Sequence, residues 1–235
     1  MAARDDRMTV EGRRLVSRWE VCTNCHQGFT GAMHLEMRRR VWRHFRNAPD
    51  DSLRKWGALT TLAGRLELYE EFDVAERLHQ QASRSVAADG PIYRQAVLNS
   101  QISRAQALNF VARSRDALEI LERVQPRLEL SSAYDRGGYN KEMSVALANL
   151  GRVDEAVPFA TNAVELFRRS ERPQSFEALH SMYVQARLFA KVGRVEEAKE
   201  TLNHVLAAST RVFGHEHVLP RKAQYALRQI AELTA

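Results

Sequence analysis

The sequence predicts an all-α fold, a right-handed α-solenoid of about four helix pairs ending in a C-terminal capping helix. Three observations predict it. Good helix formers fill the chain while Gly and Pro are scarce, at 11 and 6 of 235 residues, and few β-branched runs interrupt them. Four ungapped segments share one register of small and large apolar residues, and such self-similarity marks stacked repeats. A final apolar period, Leu219, Ala223, Leu227 and Ile230, then follows at helical spacing.

Taken from the N-terminus, residues 1–32 form a separate segment. It opens "MAARDDRM", without the apolar stretch of a secretory signal, and the longest apolar runs of the chain fall far short of the roughly 20 residues of a membrane-spanning helix. Cys22 and Cys25, the only cysteines, stand C-x-x-C with His26 directly behind. So sparse a cysteine usage fits a reducing compartment, and the expected location is cytoplasmic. Haem attachment would require export, and a redox pair would require a flanking strand; neither context is present. Zinc suits the donor set, because a two-residue gap lets both sulfurs face one ion. The surrounding W-x-x-C-x-x-C-x-Q-x-F-x-G resembles the last ligand pair of a RING-variant-type zinc finger. The resemblance implies Cys22 and Cys25 as final ligands, with Trp19 and Phe29 packed beside the metal. Residues 1–21 hold neither Cys nor His, so three outcomes stay open: a remnant with free thiols, a site completed by His26, His34 or a second chain, and a finger beginning before Met1. No cofactor other than zinc is expected.

Residues 33–51 read as one basic amphipathic helix and its stop. Met33, Met37, Val41 and Phe45 form the expected apolar stripe, with Leu35 and Trp42 nearby, and Arg38, Arg39, Arg40, Arg43 and Arg46 crowd the remainder. Pro49 ends the helix, and Asp50, Asp51 or Ser52 supplies the next N-cap. The charge is uneven: residues 1–60 hold 12 Lys+Arg against 7 Asp+Glu, and residues 61–235 hold 23 against 22. The arginines could grip phosphates or an anionic surface, but no RNA-binding aromatic motif or DNA-reading module accompanies them, so a solvated face is the favoured reading and nucleic acid is not the expected partner.

From residue 52 onward the repeats take over. In "LAGRLELYEEFDVAERL", "RAQALNFVARSRDALEI", "MSVALANLGRVDEAVPF" and "QARLFAKVGRVEEAKET" a small residue (Ala63, Ala105, Ser144, Ala186) precedes a large one by three (Leu66, Leu108, Leu147, Phe189), and an alanine follows nine later (Ala75, Ala117, Ala156, Ala198). The first two share a helix face, a break follows at Glu70–Glu71, Arg113–Ser114, Gly151–Arg152 and Gly193–Arg194, and the alanine marks a close crossing with a second helix. These segments resemble tetratricopeptide repeats (TPR). Their spacing of 42, 39 and 42 residues exceeds the roughly 34 of the standard repeat, and "RVFGHEHVL", 211–219, is similar to a loop of the kinesin light chain type, with Val218 in place of its proline. The tail from about Leu219 to Leu233 caps the last pair.

No phosphate loop, nucleophile elbow or metalloprotease pattern is present, and no acid pair stands out, so the chain is expected not to be an enzyme. The resemblance implies a protein–protein scaffold whose concave groove takes a peptide or partner helix. It places that groove at Asn99, Ile102, Gln106, Asn109, Lys141, Val145, His180, Tyr183 and Arg187. The Lys/Asn set by which some relatives clamp a C-terminal carboxylate is replaced here by Thr60 and Gly64. Two rival functions remain: the substrate arm of a zinc-finger ubiquitin ligase, and binding of nucleic acid or an anionic surface through the arginine helix.

Overall fold

A computed structural model describes residues 31–49, 52–67, 69, 71–84, 91–129 and 131–234. Cys22, Cys25 and His26 lie outside these residues. Ten α-helices occur among the described residues, with no strand: α1 (Gly31–Phe45), α2 (Leu53–Glu67), α3 (Phe72–Arg84), α4 (Pro91–Phe110), α5 (Ser114–Val124), α6 (Ala133–Asn149), α7 (Val153–Arg168), α8 (Phe176–Lys191), α9 (Val195–Phe213) and α10 (Val218–Thr234). The chain divides into two compact units, Met1–Ser100 and Gln101–Ala235.

All twelve register residues are buried: the four small ones and the four alanines are fully covered, and the large ones are at most 6% exposed. The alanines are small because each lies where two helices approach closely, and a longer side chain there would force the pair apart. Each repeat turns through the same main-chain bond. Glu71 N donates to Leu66 O (3.0 Å), Arg113 N to Leu108 O (2.9 Å), Arg152 N to Leu147 O (2.9 Å) and Arg194 N to Phe189 O (2.8 Å). In the last three repeats the residue before the donor turns left-handed, which Gly does at least cost. Gly151 and Gly193 do so at φ +79° and +80°.

In the second repeat Ala112 takes that place at φ 58°. The break therefore falls at Ala112–Arg113, one residue before the expected Arg113–Ser114. Ser114 is already the buried first residue of α5. The arginine after each of these three turns then pairs with an acid three residues on: Arg113 Nε donates to Asp116 Oδ2, Arg152 Nε to Glu155 Oε1 and Arg194 Nε to Glu197 Oε1, each at 2.7 Å. This repeated ion pair in the first turn was not among the expected features.

In the first unit, α1 packs on α2 and α2 on α3. Of the apolar stripe expected on α1, Val41 is buried and Met37 and Phe45 are half-buried, but Met33 is not covered. Met33 is 58% exposed, and Leu35 and Trp42 face Leu62, Ala63, Leu66 and Ala75 instead. Residues seven apart share a helix face, and this choice covers the larger Trp42 ring. His79 is buried in the same unit, its Nε2 3.2 Å from Glu67 Oε1.

In the second unit each helix from α5 to α10 packs on the next, α6 also touches α8, and α8 touches α10. The helices α6, α8 and α10 thus stand side by side as one layer, with α7 and α9 behind. Ser132 Oγ accepts from Asp135 N and Ser175 Oγ from Ala178 N, capping α6 and α8 at 3.1 and 3.2 Å. Leu219, Ala223 and Ile230 of α10 bury against the core of Leu179, Phe189, Leu202 and Val205, sealing the last pair. No helix among the described residues is long and apolar enough to cross a membrane.

Candidate binding groove

The layer of α6, α8 and α10, with the C-terminal end of α4, lines an open cavity of about 290 Å³ in the second unit. Of the expected groove residues it brings together Asn109, Val145, His180, Tyr183 and Arg187. Ile102 and Lys141 turn inward and are 9% and 2% exposed. Gln106 is half-buried and does not line the cavity. Asn99 belongs to the first unit, where its Oδ1 accepts from Gln95 Nε2 at 2.9 Å.

One wall is a fixed polar network. The buried Glu142 carboxylate accepts from Lys141 Nζ at 2.8 Å and from Asn109 Nδ2 at 3.1 Å. Asn109 Nδ2 also donates to Glu142 O at 3.2 Å. Asn149 Nδ2 donates to Asn109 O at 3.3 Å and to Ser114 Oγ at 3.0 Å, tying α6 to the end of α4 and the start of α5. With its amide nitrogen so held, Asn109 keeps Oδ1 as a buried acceptor with no partner among the described residues, in a residue only 6% exposed. A buried acceptor left unmatched is costly, so it is a place where a ligand N–H would gain most.

The opposite wall is a ladder of rings on one face of α8. Phe176 stacks on His180 at 5.4 Å and His180 on Tyr183 at 5.9 Å, and the Arg187 guanidinium lies 5.9 Å from the Tyr183 ring. His180 is half-buried, with Nδ1 covered and unpartnered. Burial, with the neighbouring cations Lys141, Lys222 and Arg187, holds its pKa well below the ordinary histidine value. At the foot of the ladder Phe176 meets Phe213 at 6.3 Å and His217 at 5.7 Å. His217 Nδ1 accepts from Leu219 N at 3.3 Å, so the "HEH" loop secures the start of α10.

Glu142, Asn149, Lys191 and Lys222 also line the cavity and were not expected there. Lys222 had a signal: it stands one repeat length, 42 residues, beyond His180. Glu142 had none, since a buried acid beside a buried lysine reads from sequence as a surface pair.

The arginines of α1 are partly matched by acids. Glu36 pairs with Arg40 at 3.5 Å and with Arg43, Arg39 lies 3.9 Å from Glu71, and Arg38 Nε donates to His34 Nε2 at 3.1 Å. Arg46 is exposed beyond the end of the helix. Among the described residues no group of three His, Cys, Asp or Glu could hold a metal ion.

Two solved structures share this architecture. One is a Podosopora anserina protein with nearly identical TPR-like repeats, named for the kinesin light chain; it aligns over 80% of this chain and 89% of its own, with TM-score 0.55 and 24% identity. The other, a point variant of that description, aligns over 76% and 86%, with TM-score 0.54 and 21% identity. The fold is a TPR-like helical repeat. No family model matches the sequence, and no curated protein does. In this TPR-like frame α6 and α8 are first helices of their pairs, and α10 stands where another first helix would.

Proposed function

We propose that the chain is a non-enzymatic protein–protein interaction scaffold that binds a peptide or partner helix in the groove of its second unit. The observation that supports this most is Asn109, a residue of the cavity wall whose amide nitrogen is held by Glu142 and whose buried Oδ1 has no hydrogen-bond partner among the described residues. A main-chain N–H of a peptide is the group that satisfies it. The TPR-like repeats fit a scaffold, since a layer of first helices offers one continuous face to an elongated ligand.

The test is selection of short peptides from a random pool on the full chain, followed by competition. Val145 lines the cavity between the two walls, so Val145→Arg should fill it and weaken selected peptides at least tenfold while the circular dichroism melting curve stays cooperative. Ala148→Arg serves as a second blocking variant should Val145→Arg lower the melting temperature. Peptides that bind both blocked variants as well as the wild type would place the ligand elsewhere.

A further inference from the structure

We propose that the groove contains a carboxylate-selective subsite, formed by His180, Arg187 and Lys222, which takes an Asp or Glu side chain of the bound peptide together with one proton. The inference rests on the peptide reading above and names the ligand class and its regulation.

Charge complementarity is the first support. Arg187 and Lys191 project from α8 and Lys222 from α10; all three are exposed and line the cavity. Among the described residues none of them has a carboxylate within ion-pair distance. The acid in the wall, Glu142, is buried and already held by Lys141 and Asn109. Among the described residues the groove therefore carries uncompensated positive charge, and its complement is an anion. Asn109 Oδ1, an acceptor, repels an anion and asks for a donor. Together they describe a peptide that presents an N–H at one wall and a carboxylate at the other, rather than a free small anion.

His180 is the second support. From α6 it faces Lys141, accompanied by Glu142; from α10 it faces Lys222; on its own helix it lies beside Tyr183 and Arg187; and His217 stands beyond Phe176. From α7 and α9 no charged group acts on it among the described residues. Burial and these cations favour the neutral ring, with Nδ1 unmatched among the described residues. A carboxylate drawn in by Lys222 and Arg187 reverses the local field, so the imidazolium becomes the favoured form. One N–H bond forms with a proton from solvent, and the ring donates to the carboxylate; nothing else is made or broken. By linkage, affinity rises as pH falls through the range from about 7.5 to about 5.5, where peptide Asp and Glu stay ionised.

The experiment uses the full chain, the selected peptides, and versions of them with every Asp and Glu changed to Asn and Gln. Acid-bearing peptides should bind about tenfold tighter than their amide versions and tighten about threefold from pH ~7.5 to pH ~6. Calorimetry in buffers of different ionisation enthalpy should record uptake of about one proton. In His180→Gln the affinity ratio between the two pH values should fall to about one, and in Lys222→Gln the acid preference should shrink about threefold. Arg168→Gln, an exposed position on α7 paired with Glu165, should leave both unchanged. An NMR titration of the His180 ring in the wild type, with and without peptide, gives the same reading should the His180 variant melt early. Groove-binding peptides with no acid preference, or with a pH slope that survives in His180→Gln, overturn this subsite and leave the scaffold reading standing. Peptides insensitive to Val145→Arg overturn both.

Discussion

Two regions of the molecule concentrate cations, and they do so in opposite ways. On α1 five arginines stand within residues 38–46, and two acids from outside that stretch meet three of them: Glu36 serves Arg40 and Arg43, and Glu71 reaches Arg39. In the groove of the second unit only Arg187, Lys191 and Lys222 meet, drawn from two helices, and no carboxylate pairs with them among the described residues. The conspicuous cluster is partly matched by acids, whereas no acid pairs with the sparse one among the described residues. An electrostatic field follows uncompensated charge in a concave wall, not the number of cations.

Reversing a charge in each region tests that contrast most strongly. Arg187→Glu should weaken selected peptides about tenfold, about 1.4 kcal/mol, by fluorescence anisotropy, whereas Arg40→Glu should change them less than twofold. Equal losses from both would break the comparison.

The free protein should also feel the cations around His180 through pH. His180 is held below its ordinary value by burial and by Lys141, Lys222 and Arg187, and His217 is lowered by burial. The unfolded chain takes up protons at these positions near pH 6.5 that the folded chain refuses. Stability is therefore full above that pH and declines as pH falls towards the lowered native values. The melting temperature should drop between pH ~7.5 and pH ~5.5, and less so in His180→Gln; a flat profile in the wild type would count against a neutral, cation-ringed His180.

A smaller effect sharpens the contrast between local and imposed structure inside the second unit. Ala112 adopts the left-handed turn that Gly151 and Gly193 make elsewhere. Ala112→Gly should raise stability by about 1 kcal/mol in urea melts, because the strain of a Cβ at positive φ exceeds the extra freedom Gly gives the unfolded chain. The smallest expected effect is on α1: Glu36→Gln should leave the melting temperature unchanged within error, since exposed pairs contribute little. A clear loss there would show that the arginines need their acids.

Much of the fold was legible because packing constraints repeat. A position that meets a neighbouring backbone must be small in every copy, so Ala75, Ala117, Ala156 and Ala198 announce their crossings in the sequence itself. The second turn lies one residue earlier than expected because it lacks the glycine that marks the third and fourth, although its Arg113–Leu108 bond is the same. On α1, Met33 and Leu35 are both good candidates for the buried face, and the surface offered by Leu62, Ala63 and Leu66 decides between them. The groove was legible only in part. Periodicity names which helix faces forward, but whether Lys141 points into the cavity or inward to Glu142 depends on a partner that spacing does not reveal.

By itself, then, the amino-acid sequence determined the helices, their pairing and the recurrence of close crossings, because each is set by local propensity or by a volume limit that any neighbour would impose. The tertiary structure alone decided the electrostatic character of the groove. It buried the Lys141–Glu142 pair, oriented Asn109 and left its oxygen unmatched, and brought Lys222 of the final helix beside His180. Charge compensation depends on distance and burial, and neither exists until the helices have stacked.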